Sequence, residues 1–312
     1  MVADLDAAQR GGPARHVVTG AVARHEIVRT FHSTCMVGGY DRTVDALADL
    51  VGLRVLECSE SELVGRKGGM TWIGDGSLEV AQPIVADHAN QRFLDRFGPG
   101  MHSLAFQVTD LDATLERLAG VGVAVGVRPA DWFCFTDPRT TGGLLFEWSA
   151  RTVPEDPRAG AAAPAFVVEP VLAVDTIAFV GAVVADPIAW AETFAEPFGL
   201  TETFRRSSAP PGQPVVGLAA PDAMVALFAL PGDASGALWG AHHERARFHA
   251  LGVGVADLDA AIAALTAARV DVLWRDDELA VVDPAAAGDV CLVLVGGRLT
   301  GDPRQSTTTA RA

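Results

Sequence analysis

The sequence predicts an α+β fold built from four copies of a βαβββ module. Three observations carry this prediction. The two halves of the chain resemble each other, since residues 101–125 align with residues 248–272 at a constant offset of 147. Several short runs alternate apolar and polar residues with the period of a β-strand. Between these runs lie amphipathic stretches with the period of an α-helix.

The clearest module begins at residue 101. HSLAFQV alternates as a strand does, and Asp110 is placed to cap a following helix, whose Leu111, Leu115 and Leu118 share one face. Strand-like runs around VAVGV, WFCFTD and GLLFEWS then complete the βαβββ pattern.

The preceding module follows the same order. FHSTCMV, starting at Phe31, predicts a strand, and DRTVDALADLVG predicts a helix. The runs LRVLECSE, MTWIG and SLEVAQPIV predict three further strands. The repeat extends the pattern into the second half, where His102 aligns with His249 and Asp110 with Asp257.

A stretch rich in Pro and Ala separates the two halves. Its sequence, RTVPEDPRAGAAAPAFVVEP, has no steady period, which is typical of a linker. Both ends of the chain consist of polar or small residues and predict loose tails. The predicted organisation is an N-terminal tail 1–25, a first domain 26–150, a linker 151–169, a second domain 170–298 and a C-terminal tail 299–312.

Composition excludes several classes of function. The formal net charge is −15 and Lys67 is the only lysine, a balance that repels nucleic acid and anionic lipid. No apolar run is long enough to predict a membrane span. Residues 1–20 lack the basic start and apolar core of a signal peptide, and the four cysteines show no CxxC spacing. We therefore expect a cytoplasmic protein with reduced thiols and a small-molecule substrate; a homodimer is one option for its assembly.

This module, with a histidine on a first strand and a glutamate on a last strand, resembles the vicinal oxygen chelate superfamily. That superfamily includes glyoxalase I, methylmalonyl-CoA epimerase, extradiol dioxygenases and bleomycin-resistance proteins. The resemblance implies that the modules pair into two cupped mixed-sheet domains, and it covers the chain outside the tails and linker. The first half is most similar to the branch of methylmalonyl-CoA epimerase and 2-epi-5-epi-valiolone epimerase, in residues 77–84, 98–118 and 136–150.

The resemblance implies one divalent-metal site in the first domain, with His32, Glu79, His102 and Glu147 as ligands. Imidazole nitrogens together with carboxylate oxygens suit Zn, Ni, Co, Mn or Fe as the ion. The alternation of GLLFEWS places Leu145 and Glu147 on one face, and a glutamate in so apolar a strand is costly to bury unless it is paired or bound to a metal. Glu79 is the weakest member, since relatives can carry a Gln or no ligand there.

The second domain is predicted to be degenerate. In the alignment of the halves, the positions of the two glutamates fall on Val293 and about Leu227, and the position of the first-strand histidine falls on Asp175 or Thr176. Only His249 keeps a residue type that binds metals. Covering the cup, forming an oligomer interface and shaping the pocket are the roles left open for this domain.

The resemblance implies a metal-dependent epimerase or isomerase that removes a proton alpha to a carbonyl through a metal-bound enolate. Glu147 is the first candidate for the base, and Glu79 is the second. A keto-sugar or ketocyclitol suits the acidic chain better than an acyl-CoA thioester, because no Lys/Arg cluster is present to receive several phosphates. The residues assigned to the substrate pocket are Trp72, Trp132, Phe133 and Arg139.

Three alternatives remain open. A glyoxalase-type lyase would use the same four ligands. An Fe(II) extradiol dioxygenase would need two histidines and one carboxylate, which His32, His102 and Glu147 supply, although Glu79 would then crowd the open face. A drug-binding protein without catalytic activity would have no need for these ligands.

Overall fold

The structure, a computed structural model, describes residues 26–62, 64–151, 156–162, 169–208, 213–230 and 245–306. The predicted N-terminal tail and parts of the predicted linker and C-terminal tail lie outside these residues. No helix in the described part of the chain is long and apolar enough to cross a bilayer. All four cysteines are free thiols.

The first half forms one mixed β-sheet. Its elements are β1 (Ile27–Met36), α1 (Tyr40–Val51), β2 (Arg54–Val55), β3 (Ser59–Ser61), β4 (Arg66–Ile73), β5 (Gly76–Pro83), α2 (Ala89–Phe97), β6 (Gly100–Val108), α3 (Leu111–Ala119), β7 (Val125–Ala130), β8 (Phe133–Thr136) and β9 (Phe146–Ser149). The strands lie in the order β2-β4-β5-β1-β6-β9-β8-β7, and β3 pairs with β4. The run LRVLECSE, predicted as one strand, is divided between the short strands β2 and β3, and the helix α2 was not predicted.

The second half forms a second mixed sheet. Its elements are β10 (Val174–Val184), α4 (Pro187–Phe194), β11 (Thr201–Ser208), β12 (Gln213–Ala219), β13 (Met224–Ala229), β14 (Arg247–Val255), α5 (Leu258–Ala267), β15 (Val272–Arg275), β16 (Leu279–Val282) and β17 (Cys291–Gly296). The order β11-β12-β13-β10-β14-β17-β16-β15 repeats the order of the first sheet. The predicted α+β fold with four βαβββ modules in two mixed sheets is confirmed.

Helices α3 and α5 begin at two aspartates, Asp110 and Asp257, that align in the sequence. The backbone N–H of Ala113 donates to the Asp110 side chain at 2.9 Å, and that of Ala260 donates to Asp257 at 2.9 Å. Helix α1 ends at Gly52, whose φ of 71° is in the left-handed region that glycine adopts readily. The caps fix the start of α3 and α5 at equivalent positions of the two halves.

One apolar core joins the two sheets. It contains Leu104 and Phe146 of the first sheet and Leu251 and Leu292 of the second, together with residues from the helices. The opposite face of the second sheet is covered by a separate apolar cluster, whereas the opposite face of the first sheet carries the polar candidates described below. We call this latter face the site face.

Two arginines connect the halves in a reciprocal arrangement. Arg158, in the predicted linker, donates to backbone carbonyls of β1 at 2.8 Å and pairs with Asp222 of the second half at 3.4 Å. Arg304, in the predicted C-terminal tail, donates to a backbone carbonyl of β10 at 2.9 Å and pairs with Asp75 of the first half at 3.2 Å. Each segment is therefore packed between the two sheets.

Candidate functional site

Strand register brings three of the four candidate ligands to the site face. His32 pairs with Ala105, which in turn pairs with Glu147, so these residues form one row across β1, β6 and β9. Thr34, two residues along β1 from His32, pairs with Glu79 on β5. Cross-strand partners share a face, and so do residues two apart on one strand. Glu79 and Glu147 consequently lie on opposite sides of β1.

His32 lies between the two carboxylates. Its Nε2 is 3.5 Å from Oε2 of Glu79 and 3.6 Å from Oε2 of Glu147, distances of an ion pair rather than of a hydrogen bond. The relative exposures of the three residues are 5, 7 and 8 %. Burial lowers the pKa of His32, but Glu147 and then Glu79 outweigh it and raise that pKa above its ordinary value.

Glu79 is held by two further side chains. Thr34 donates its hydroxyl to Oε2 of Glu79 at 3.0 Å, and Arg66 on β4 forms an ion pair with Oε1. Burial raises the pKa of Glu79, but the charges of Arg66 and His32 outweigh it, so the pKa is below the ordinary value. Glu79 is therefore ionised, and Arg66 is a contact that the sequence did not predict.

Glu147 follows the alternation predicted for its strand. Its neighbours Phe146 and Trp148 are fully buried in the apolar core, whereas Glu147 itself lies on the site face. Among the described residues, its polar contact is the one with His32. On β8, Phe135 is the cross-strand partner of Glu147, so an aromatic ring stands beside this carboxylate. Phe135 was missed, although its alternation with Cys134 in WFCFTD contained the signal.

His102, on β6, is the most accessible of the four. Its Nδ1 lies 3.1 Å from the Ser103 hydroxyl, and the ring of Phe93 on α2 meets the imidazole edge-on at a centroid distance of 4.6 Å. Burial lowers the pKa of His102 to about 4, against an opposing effect of Glu79. The imidazole is therefore neutral at physiological pH, which is the form that binds metals.

The donor atoms of the four candidate ligands are of types that bind divalent cations, but their side chains are not arranged around a common position. As they stand, no group of three or more His, Cys, Asp or Glu residues in the described ranges is arranged to hold a metal ion. One oxygen of Glu79 is already engaged by Arg66. Both ring nitrogens of His32, however, are buried without a hydrogen-bond partner in the described part of the chain, and buried polar atoms are normally satisfied. Two imidazoles and two carboxylates fit a divalent ion in donor type.

The residues assigned to the substrate pocket are separated in the structure. Phe133 lies on the site face with Phe135, at a ring distance of 6.0 Å, and its ring is 4.4 Å from Trp132. On β4, Met70 is the cross-strand partner of Glu79, and Trp72 lies two residues further along the same strand. The Trp72 side chain is buried, however, and the Arg158 guanidinium lies over its ring. The Arg139 side chain is 88 % exposed and pairs with its neighbour Asp137, so the structure does not bring it to the candidate ligands.

The second sheet carries apolar residues at three of the four equivalent positions. Register places Phe179 at the position of His32, Ala226 at that of Glu79 and Val293 at that of Glu147. The alignment of the first-strand histidine with Asp175 or Thr176, and of Glu79 with Leu227, was therefore wrong. The offset of 147 continues without a gap through the first strand and its bulges.

The histidine of the second sheet has a local partner. His249 is buried, and its Nε2 lies 3.8 Å from the Cys291 sulfur. The Phe179 ring covers Gly252, where a Cβ atom would lie 2.3 Å from the ring. The face of the second sheet that corresponds to the site face is therefore packed mainly with apolar side chains.

Comparisons with known proteins agree with this topology. No family model matches the chain, and no curated protein sequence matches it either. Among solved structures, a mutant of 4-hydroxymandelate synthase from Streptomyces coelicolor, a vicinal oxygen chelate protein, matches with a TM-score of 0.63 and 14 % identity, over 90 % of this chain and 96 % of that one. The chain has the vicinal oxygen chelate fold.

Other solved structures match a smaller part of the chain. A variant of methylmalonyl-CoA epimerase from Streptomyces coelicolor, in complex with 2-nitronate-propionyl-CoA, matches with 26 % identity and a TM-score of 0.37, over 40 % of this chain and all of that one. The enzyme from Mycobacterium tuberculosis matches with 24 % identity and a TM-score of 0.37, over 43 % of this chain and 93 % of that one. Matches with so low a TM-score do not extend the assignment of the fold.

Proposed function

We propose that this vicinal oxygen chelate protein is a metal-dependent epimerase or isomerase acting on a small carbonyl compound. The observation that carries the proposal is the pair of buried carboxylates on opposite sides of β1. Glu79 and Glu147 both lie within 3.6 Å of one imidazole nitrogen of His32. Two buried carboxylates beside one imidazole supply oxygen ligands for a divalent ion, and the one that no arginine engages can also accept a proton from a bound carbon acid.

His32, His102, Glu79 and Glu147 would hold one divalent ion of the Zn, Ni, Co, Mn or Fe class. Such an ion, when bound, stabilises the negative charge that develops on a carbonyl oxygen as the neighbouring carbon loses its proton. The neutral imidazole of His102 suits this role, and so do the ring nitrogens of His32, which have no hydrogen-bond partner in the described part of the chain.

A carboxylate of the site carries out the proton removal. An ionised carboxylate removes the proton alpha to the carbonyl, and the electron pair of the broken C–H bond moves to the carbonyl oxygen. Glu147 is our first choice for this base, because no arginine engages it in the described part of the chain. Delivery of a proton from solvent to the opposite face inverts the carbon, and the protonated base then releases its proton to solvent. Return of the abstracted proton by the base to a neighbouring carbon isomerises the substrate. Arg66 and Thr34 hold Glu79 in place on the site face, beside His32.

The surroundings favour a neutral substrate. The Phe133 and Phe135 rings lie on the site face beside Glu147 and offer an apolar wall. Arg66 is already paired with Glu79, and Arg139 is directed to Asp137. Receiving the phosphates of an acyl-CoA thioester would require further cations, so we favour a keto-sugar or ketocyclitol.

Exchange of the alpha proton with D₂O tests this proposal. We would incubate the purified full chain with a panel of keto-sugars, ketocyclitols and alpha-chiral thioesters and follow deuterium incorporation by NMR. Glu147→Gln and treatment with a chelator should each abolish exchange, whereas Glu116→Gln on the exposed face of α3 should leave it unchanged. Exchange that persists undiminished in Glu147→Gln and after chelation would refute the proposal.

A second candidate, an Fe(II) oxygenase, has one specific observation in its favour. Because Arg66 engages Glu79, the residues His32, His102 and Glu147 remain as a set of two histidines and one carboxylate. Such a set is typical of non-haem iron oxygenases. Oxygen uptake by the Fe(II)-loaded chain in the presence of catechols, without alpha-proton exchange, would favour this candidate over the epimerase.

A further inference from the structure

One side chain of the second sheet reaches into the first. Arg247, the first residue of β14, donates from Nη1 to the backbone carbonyl of Phe97 at 2.9 Å, across the boundary between the halves. Its guanidinium also lies 5.4 Å from the Phe93 ring and 5.3 Å from the Phe97 ring. Both phenylalanines belong to α2, so Arg247 contacts this helix through a hydrogen bond and two cation–π interactions.

The first half leaves room for this arginine. By the offset of 147, the counterpart of Arg247 is Gly100, at the start of β6. A Cβ atom at Gly100 would lie 3.0 Å from Nη2 of Arg247. The φ of Gly100 is 141°, a backbone conformation that disfavours any residue with a Cβ atom. Helix α2 ends at Phe97, and the residue that caps its C-terminus, Gly98, has a φ of 69°. The guanidinium therefore lies at the C-terminal end of α2, where a positive charge is favourable.

Helix α2 depends on such contacts. None of its residues is fully buried, so the apolar core contributes less to its position than it does for α1 or α3. Phe93 and Phe97, four residues apart, lie on the same face of the helix with their ring centroids 5.1 Å apart. Arg247 packs against this pair, and the pair faces the sheet.

The same helix contacts a candidate metal ligand. The Phe93 ring meets the His102 imidazole edge-on, at 4.6 Å and an interplanar angle of 86°. Ser103 holds Nδ1 of His102 at 3.1 Å. The imidazole is thus confined by Ser103 through one nitrogen and by Phe93 through its edge, and Nε2 remains as the nitrogen available to an ion.

We propose that Arg247 is a positioning residue for the candidate metal centre, acting through Phe93 on the orientation of His102. The second half, which carries apolar residues at three of its four counterpart positions, thereby supports the centre of the first half. This inference rests on the proposed function, since it assumes that His102 binds a metal ion. Loss of a hydrogen-bonding outer partner of a metal-binding histidine typically weakens metal affinity by about 10- to 100-fold, and we expect the lower end of this range for a contact made through the Phe93 ring.

Titration with Co²⁺ provides the test. The full-length chain, stripped of metal, is titrated by calorimetry and by visible absorption, which reports the ligand geometry of the bound ion. Arg247→Met should weaken Co²⁺ binding by about tenfold or more and alter the spectrum, and Phe93→Leu should do the same. The double variant should be no worse than the more affected single variant, because both changes break one chain of contacts. Arg247→Lys, which keeps the positive charge at the end of α2, should recover part of the affinity.

Arg304→Met is the matched control, since this arginine also joins the halves but contacts Asp75 and the backbone of β10 instead of α2. Its Co²⁺ affinity should equal that of the wild type. An affinity and spectrum of Arg247→Met that match the wild type would overturn the inference alone, as would an equal loss in Arg304→Met. Absence of Co²⁺ binding in the wild type would overturn the proposed metal centre and this inference with it. If Arg247→Met does not fold, Phe93→Leu decides the question.

Discussion

Arg66 forms an ion pair with the Oε1 atom of Glu79 on the site face of the first sheet. This contact divides the four candidate ligands into two kinds. Glu79 is engaged by a cation, while His32, His102 and Glu147 have no arginine partner among the described residues. Glu79 is also the weakest ligand by resemblance, because relatives can carry a Gln or no ligand at this position. The ion pair with Arg66 is a separate, physical reason, since the guanidinium competes with a metal ion for the carboxylate.

Removing the charge of Arg66 should strengthen metal binding. In Arg66→Met, Glu79 gains a free oxygen, and the repulsion between the guanidinium and a bound cation disappears. We expect the Zn²⁺ affinity to increase about tenfold, the effect of a charge interaction of modest size in a partly buried site. Calorimetric titration measures the change. Arg42→Met, which removes an arginine paired with Asp289 on the surface, is the control and should bind as the wild type does. An unchanged or weaker affinity in Arg66→Met would contradict this account.

The two sheets offer a matched test of the cost of a buried carboxylate. Glu147→Val should increase the free energy of unfolding of the metal-free protein by about 1 kcal/mol, since burying a charge with incomplete hydrogen bonding is unfavourable. The reciprocal change in the second sheet, Val293→Glu, should decrease it by about 3 kcal/mol or more, because the new carboxylate would enter an apolar cluster. Urea unfolding measures both values. A destabilisation by Glu147→Val as large as that by Val293→Glu would show that Glu147 serves the structure instead of a site.

Acidification should weaken the connection between the halves. Asp156 and Asp302 are buried, and hydrogen bonds from Arg158 and Arg304 outweigh burial and hold the pKa of each carboxyl below its ordinary value. A carboxyl whose pKa is lower in the folded state contributes stability above the unfolded pKa of about 3.9 and loses it as the pH falls through that value toward the folded pKa.

The Tm should therefore be steady near neutral pH and fall steeply below about pH 4. Asp302→Asn should cost about 2 kcal/mol at neutral pH, the value of hydrogen bonds to a charged group, and should flatten this acid dependence. Asp45→Asn on the exposed side of α1 serves as the control, with little effect on either quantity. Scanning calorimetry across the pH range checks the prediction. An Asp302→Asn profile parallel to that of the wild type would contradict it.

Much of the fold followed from local patterns. The alternation of HSLAFQV and GLLFEWS, and the capping position of Asp110, depend on neighbouring residues only, and the structure contains the corresponding elements β6, β9 and α3. Helix α2 was missed despite a stop signal, Gly98 followed by proline, because the stretch before it is polar and buries no residue completely.

The long-range contacts around the site could not be predicted from local sequence patterns. Arg66 meets Glu79 across a strand pair, and Arg247 meets Phe93 over a separation of more than a hundred residues. Neither contact is associated with a periodic pattern of residues in the sequence. The counterparts of the ligands in the second half could be identified only from the strand register. An error of three residues in aligning the two halves moves the counterpart of His32 from Phe179 to Thr176.

Metal content of the purified protein tests the central claim most directly. Elemental analysis of the wild type should find one divalent ion per chain. His102→Ala should lose most of it, whereas His249→Ala, which changes the equivalent histidine of the second sheet, should keep the wild-type content. Wild-type protein without stoichiometric metal, or His102→Ala with the full content, would contradict the account.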